Sequence, residues 1–546
     1  MRSYIAPLVF AVLGAHAALT PTPTRRWGTD SSLFASTKDG QFIVNGSTFK
    51  FVGTNAYWLP YLNTDEDIDN VLGNMSAAGI SVVRTWAFND VTTIPEEGVW
   101  LQLISNGTAQ INNGTNGLQR LDKLVELAAN HGIYVLFSLT NNWNPIANET
   151  ADPLTPSSTP LPRNFLSNDY GGMDAYVREF GVDKTHDEFY TNMTIRSFFE
   201  DFTQAVVSRF VNNPWVFSWE LANDPRCNSS VPTADTCNTN VVTQWHADVS
   251  EFVKSIDPNH LVSSGDAGFS CATCSKIFPL QPPPQPSASV SSRRKRSPVP
   301  AMSKARQAKK VAEARKRSVN PVPADGVRIR GRWVANKEAK RQTAGNSAVG
   351  TANDGSTGVD SQDILNAPNI GFGSFQYFPD QNSYAGPGQP AQPTNFSDLV
   401  QQGIDWIQQN TANAQAVGKP LTLTALGLVT QDNFPFFIPF NGTTPPPSNI
   451  TNTTDPTSSS LSVRDLLYTP VTAINGTNGV TQQQQSEAYQ AWFNAALNAG
   501  VNGVMTYQWG AGNLTSAQGT VVQAPVSGTN TVSQGPAPND GYGGVA

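Results

Sequence analysis

The stretch Trp215-Val216-Phe217-Ser218-Trp219-Glu220-Leu221-Ala222-Asn223-Asp224-Pro225-Arg226-Cys227 decides how the chain is organised. An apolar run of strand character ends abruptly in Asn-Asp-Pro-Arg, so a buried strand carries polar groups to its own C-terminal edge. Barrel enzymes present their reactive residues at that edge.

The same pattern recurs on both sides. Phe51–Trp58, Ser81–Trp86 and Ile133–Thr140 come before it; His260–Asp266, Ile370–Pro379, Leu421–Gly427 and Gly503–Trp509 come after. Helical periodicity separates these runs. Thr64 caps a helix through Met75 with acidic residues in its first turn, and Leu118 to Asn130 stops at Gly132. Further helices are expected over Ile195 to Val211, Val242 to Ile256, Ile404 to Gln415 and Glu487 to Ala499. Ahead of them all, Phe42 to Lys50 has the form of a hairpin turning at Asn45-Gly46. Eight short apolar strands alternating with helices predict an α/β fold, a parallel (β/α)8 TIM barrel. An open doubly wound sheet shares the periodicity, but no Gly-rich nucleotide loop follows the first strand.

The flanks divide the chain further. Residues 1–17 have the form of a secretory signal, with Arg2, an apolar core from Ile5 to Leu13 and the cleavage-type Ala15-His16-Ala17, which predicts a secreted, extracellular protein. Residues 18–41 are expected to be a linker, 42–515 the barrel and 516–546 a flexible tail rich in Gly, Ser, Pro and Thr. Sequons such as Asn45-Gly-Ser, Asn106-Gly-Thr and Asn192-Met-Thr recur along the chain and suit a glycoprotein. No second apolar run approaches membrane-spanning length, and no hydrophobic tail for a lipid anchor ends the chain, so a soluble protein without a membrane partner is expected.

Cys227, Cys237, Cys271 and Cys274 then lie in an oxidising compartment, where three pairings are open and the local ones, Cys227–Cys237 and Cys271–Cys274, are expected. A single C-x2-C with no second pair is a poor zinc signature, so no metal is expected.

Net charge is −7, unevenly spread. Residues 293–341 hold 17 of the 35 Lys/Arg and 3 of the 42 acidic residues, leaving 18 basic against 39 acidic elsewhere. This block lies in a Pro-rich, then basic insertion over 281–345, between the fifth and sixth strands, and is expected to be disordered. Its Arg293-Arg294-Lys295-Arg296 and Arg315-Lys316-Arg317 resemble dibasic processing sites; a solvated loop or retained intron sequence is the plainer reading. Nucleic-acid binding would need a folded basic surface and is not expected.

With the eight strands placed, the chain resembles fungal endo-1,4-β-mannanases of glycoside hydrolase family 5 from about Phe42 to Trp509, the insertion aside. The motifs carrying the resemblance include Gly53-Thr54-Asn55-Ala56-Tyr57-Trp58, Val83-Arg84-Thr85-Trp86-Ala87-Phe88, Asn141-Asn142-Trp143, Gly171-Gly172-Met173-Asp174, Thr185-His186-Asp187-Glu188-Phe189-Tyr190 and Trp219 to Cys227. Gly265-Asp266-Ala267-Gly268-Phe269, Phe375-Gln376-Tyr377-Phe378-Pro379-Asp380, Leu423-Thr424-Ala425-Leu426-Gly427 and Gln508-Trp509-Gly510 complete the set. The resemblance implies retaining hydrolysis by two glutamates whose carboxyls lie roughly 5–5.5 Å apart, a proton donor after the strand-four Asn and a nucleophile on strand seven.

In this sequence those positions hold Asp224 and Ala425. Asp224 keeps a carboxyl on a shorter stem, whereas the methyl of Ala425 has no lone pair with which to form a glycosyl-enzyme. Gln376 stands where the family usually has His, Phe378 where it has Tyr, and Ala267 where Glu is usual. Hydrolysis is therefore expected to be impaired.

Arg84 matches the arginine that supports the nucleophile, and with Ala425 opposite it needs another partner; Glu220 is a candidate because Glu220, Ala222 and Asp224 share a strand face. By resemblance Asn223 would hold a sugar 2-hydroxyl, against the alternative of an Asn closing its strand with a turn bond. Trp509 would floor the innermost sugar site. Trp58, Trp86 and Trp143 would be either stacking platforms or core aromatics. The expected substrate-binding set is Arg84, Trp86, Asn223, Gln376, Phe378 and Trp509, with no cofactor, a β-mannan-type polysaccharide as partner and a monomeric chain. Three functions stay open: a mannan binder on a mannanase scaffold, a hydrolase using a displaced carboxylate such as Asp266 or Glu220 roughly 6.5–9.5 Å from Asp224, or a non-catalytic cell-wall glycoprotein.

Overall fold

The structure is a computed structural model that describes residues 33–62, 64–96, 98–146, 164, 166–280, 350–386, 393, 395–443, 478–510 and 540–542, with the backbone alone at 326–329 and 332–335. Its centre is an eight-stranded parallel sheet. The strands are β1 (Phe51–Asn55), β2 (Val82–Trp86), β3 (Tyr134–Ser138), β4 (Val216–Glu220), β5 (Leu261–Ser263), β6 (Gly373–Tyr377), β7 (Leu421–Leu426) and β8 (Gly503–Thr506). Adjacent strands in sequence lie side by side from β1 to β5 and from β6 to β8, and β8 returns to pair with β1. A parallel bridge from Ser263 to Phe372 and the bond from the Gly371 amide to the Val262 carbonyl (2.7 Å) join β5 to the entrance of β6 and close the barrel. The apolar runs are strands for a simple reason: β2, β4, β6 and β7 are buried at every position, as sheet covered by helices on one side and its own interior on the other demands.

The covering helices are α1 (Asp65–Ala77), α2 (Gln119–Asn130), α3 (Met193–Val207), α4 (Thr239–Ile256), α5 (Ser361–Leu365), α6 (Phe396–Val417) and α7 (Gln482–Ala499). The Thr64 hydroxyl accepts from the Asp67 amide at 3.1 Å, the expected cap. Helices α6 and α7 begin well before the sequence patterns suggest. Their opening turns are polar and carry no periodic signal; Asn395 and a Thr481–Gln484 capping box fix them instead.

Below the barrel, strands Gln41–Val44 and Ser47–Phe49 form the expected hairpin, with Asn45 and Gly46 both at positive φ. A third strand, Ser36–Lys38, pairs with Gln41–Val44, so the linker expected over 18–41 includes sheet. Three exposed polar residues carry no alternation to announce it. Phe42 inserts between Phe217 and Phe372, ring centroids 5.1 and 5.0 Å away, and seals the N-terminal mouth.

Both local disulfides, Cys227–Cys237 and Cys271–Cys274, are present. Within 281–345 only the backbone hairpin Gly326–Ile329 and Arg332–Ala335 is described, and the signal segment lies outside the described residues. Within the tail read from 516, Asp540 and Tyr542 are buried against the barrel, contrary to a flexible tail at those positions. A single aromatic in a Gly/Ser-rich stretch gives no local sign of such packing. No described helix is long and apolar enough to cross a membrane.

Candidate functional site

The C-terminal ends of β2, β4, β6 and β7 bring Arg84, Glu220, Gln376 and Ala425 together. Arg84 is the hub. Its Nε donates to both oxygens of Glu220 (3.1 and 3.0 Å) and its Nη2 to Oε1 (2.5 Å), so the sequence-predicted pairing forms, buried on both sides. Nη1 donates to Asn55 Oδ1 at 2.9 Å and Nη2 also to Asn223 Oδ1 at 2.8 Å. The guanidinium lies 4.9 Å from the centre of the Trp86 ring. A planar fork with five donors suits this task, since each donor bonds a different direction in one plane.

Asn223 is equally committed. Its Oδ1 accepts from Arg84 and from Gln376 Nε2 (3.0 Å), and its Nδ2 donates to Asn141 Oδ1 (2.8 Å). Gln376 supplies here an amide donor rather than an acid or base. Trp86 is 3% exposed and donates its indole N–H to the Ser167 carbonyl, while Trp58 lies in the core. These expected binding residues form a bonded floor.

Asp224 follows in a left-handed conformation, φ +53°, with its amide bonded to the Gly265 carbonyl at 2.9 Å. The approach leaves no room for a side chain at Gly265, whose Cβ would stand 1.7 Å from the Ala222 carbonyl oxygen. Arg226, quoted in the motif without a role, proves decisive. Its Nη2 donates to both oxygens of Asp224 (2.7 and 2.6 Å) and its Nε to Oδ1 (3.1 Å), while Trp143 Nε1 donates to Oδ2 (2.8 Å). Arg226 is held in turn between the Phe269 and Trp143 rings, 4.6 and 5.2 Å away. An arginine two residues from an acid in a turn is the signal that could have found it.

Ala425 pairs in register with Gln376, after a shift in the β6–β7 ladder at Phe375. Its methyl belongs to an apolar cluster with Phe378, Val429, Phe437 and Tyr542, against which Tyr507 and Phe440 also pack. Phe378 meets the rings of Phe440, Tyr507 and Tyr542 edge-on at 5.1–5.3 Å. Of the other carboxyls, Asp266 accepts from Ser264, Ser361 and the Gly268 amide, with burial pushing its carboxyl up to about 6. Asp380 accepts from the Val429 amide, and burial raises it to about 7. Trp509, half-buried after β8, has no acceptor for its indole N–H among the described residues.

A cleft of about 290 Å³ has walls that include Trp143, Arg226, Asn382, Phe437, Phe440 and Asn441; none of Arg84, Trp86, Asn223, Gln376, Phe378 or Trp509 is among its lining residues. Aromatic faces set among amide groups are suited to a hydroxyl-rich ligand. No cluster of His, Cys, Asp and Glu able to hold a metal occurs among the described residues.

Residues 32–280 match the family model described as glycoside hydrolase family 5 β-mannosidase-like. Among curated proteins, the chain is similar to mannan endo-1,4-β-mannosidase F of Aspergillus clavatus, 41% identical over 44% of this chain and 48% of that protein. It is also similar to mannan endo-1,4-β-mannosidase A of Aspergillus aculeatus, 38% identical over 48% of this chain and 61% of that one. The chain thus spans about half the length of the curated relatives it matches. Among solved structures, the endo-1,4-β-mannanase of Rhizomucor miehei superimposes with a TM-score of 0.54 at 24% identity, covering 87% of this chain and 90% of that one, and shares the barrel fold. The family match takes in β1 to β5 and ends before Gln376, Ala425 and Trp509. Through residues 32–280 the chain is thus similar to the β-mannosidase-like group of glycoside hydrolase family 5.

Proposed function

We propose that the protein is a secreted β-mannan-binding member of that family in which hydrolysis is impaired. One observation carries this reading: neither position that would flank the scissile bond offers working chemistry. Ala425 presents a methyl group inside an apolar cluster, and both oxygens of Asp224 are taken by Arg226 and Trp143. A retaining mechanism needs a carboxylate to form the glycosyl-enzyme and an acid free to deliver its proton to the leaving oxygen. The displaced carboxylates weighed from sequence are also engaged, Glu220 by Arg84 and Asp266 by two serines and an amide.

Binding is supported by the cleft itself and by the mannan-directed names of the relatives. Trp143 and Phe440 offer ring faces, and Asn382 and Asn441 offer amides. Two measurements on the purified protein test both halves: reducing-sugar release from galactomannan and calorimetric titration with mannohexaose. The expected outcome is binding with little release. Turnover matching that of an active fungal mannanase assayed alongside would overturn the impaired-hydrolysis half, and absence of binding heat would overturn the other.

A further inference from the structure

We infer that the C-terminal residues Asp540-Gly541-Tyr542 act as an intramolecular stopper, seated in the apolar cluster that holds Ala425 and behind Phe437 of the cleft wall. The inference rests on the mannan-binding reading for its consequence, although the docking itself stands on contacts alone.

Tyr542 is 2% exposed and lies in one apolar cluster with Ala425 and Phe378. Its ring meets Phe378, Phe437 and Tyr507 edge-on at 5.3, 5.8 and 5.5 Å, and its hydroxyl accepts from Gln381 Nε2 at 3.0 Å. Phe437 also lines the cleft, which places the stopper against the cleft wall. Asp540 adds polar anchors. Its Oδ2 accepts from the Tyr507 hydroxyl and from Gln508 Nε2, both at 2.9 Å, and its carbonyl accepts from the Ile438 amide at 3.0 Å. Between them Gly541 adopts φ +100°, and a Cβ there would stand 2.6 Å from Phe437 Cα. Only glycine can make this turn so close to the wall.

These contacts fit the altered chemistry of the site. A carboxylate at the Ala425 position would be desolvated in this apolar cluster, whereas a methyl packs there without that cost. The methyl of Ala425 and the ring of Tyr542 are thus compatible occupants of one cluster. Undocking would uncover Phe378, Tyr507 and Ala425 for an additional sugar unit. A ligand that needs the uncovered cleft binds with an apparent affinity reduced by the fraction of molecules in which the stopper is out.

The test compares the full chain with a chain ending at residue 539 and with Gly541→Val, using two readouts. Amide hydrogen exchange at Ile438 reports docking without any sugar; calorimetry with mannohexaose reports the cleft. Docking requires Ile438 exchange to accelerate about tenfold or more in both variants, the size expected when a local opening loses its restraint. The stopper role further requires mannohexaose to bind at least about tenfold tighter to both variants. Unchanged Ile438 exchange overturns the docking. Faster exchange with unchanged sugar affinity overturns the stopper role and leaves the binding reading intact. Faster exchange with no mannohexaose binding by any of the three chains overturns the binding reading and, with it, the stopper role.

Discussion

Arg84 and Glu220 meet as a buried ion pair in the barrel interior, with Nε and Nη2 of the arginine both on the glutamate carboxylate. The pair sits on adjacent regions of the barrel interior and is wired outward through Asn55 and Asn223. Removing either charge strands the other in low dielectric. Glu220→Leu or Arg84→Met is therefore expected to lower unfolding stability by about 3–5 kcal/mol, and the Arg84→Met/Glu220→Leu pair by less than the two single changes added. Urea unfolding of the four chains measures this; strict additivity would count against a coupled pair.

Trp143 has two duties, holding Asp224 through its indole N–H and presenting a ring to the cleft. Trp143→Phe keeps the ring and drops the bond, whereas Trp143→Ala drops both. Mannohexaose affinity is expected to fall several-fold in Trp143→Ala, consistent with an aromatic contact of about 0.5–1.5 kcal/mol, and much less in Trp143→Phe. Equal losses in calorimetry would assign the effect to Asp224 rather than to stacking.

Restoring two glutamates is expected to be insufficient for catalysis. In Ala425→Glu/Asp224→Glu the new nucleophile enters the apolar cluster of Phe378 and Tyr542, where burial favours its neutral, unreactive form. Adding Gly541→Val to the double change is expected to raise galactomannan hydrolysis at least about tenfold over the double change alone, since a factor of ten needs only about 1.4 kcal/mol. Equal rates of reducing-sugar release would show that the aromatic occupant is not what limits the restored site.

Four buried carboxyls dominate the pH profile of stability. Burial raises Asp266 and Asp540 to about 6, Asp380 to about 7 and Asp90 to about 8, above their unfolded values, and outweighs the buried His246, lowered to about 4, so the folded state holds more protons than the unfolded state from about pH 4 to 8. Their protonated forms favour folding, and that contribution is lost as pH rises through the folded values. The melting temperature is expected to be higher at pH 5 than at pH 8, and Asp380→Asn is expected to flatten the difference. Calorimetric scans at the two pH values check the sign.

The barrel was legible because its strands are short and apolar on both faces, a pattern that survives without tertiary information. Ser36–Lys38 and the opening turns of α6 and α7 were not, because their order comes from a partner strand or a cap rather than from periodicity. At the site, sequence placed Arg84, Asn223, Asp224, Gln376 and Ala425 near one another and proposed the Arg84–Glu220 pair, since neighbouring strand ends converge in a barrel. It could not foresee that Asn223 and Gln376 would bond each other, or that Arg226 would claim Asp224. Both outcomes depend on side-chain direction, the second at the left-handed Asp224, which no spacing rule specifies. Tyr542 was beyond reach for another reason: more than a hundred residues separate it from the cluster it completes.

The chain on either side of residues 281–349 is fastened to the barrel before it leaves and after it returns. The Ile277 and Phe278 amides donate to Asp363, Asn366 Nδ2 donates to the Phe278 carbonyl, Lys276 pairs with Asp360, and Cys271 bridges to Asp354 across the strand. Loop closure at this point is enforced by the clamp, so chain length between its jaws is nearly neutral for the barrel. The root is thus a natural graft site. A short Gly/Ser bridge, a reporter peptide or an unrelated folded module could replace the native segment there while β5 and β6 keep their places, which makes the site a socket for attaching new functions to the cleft.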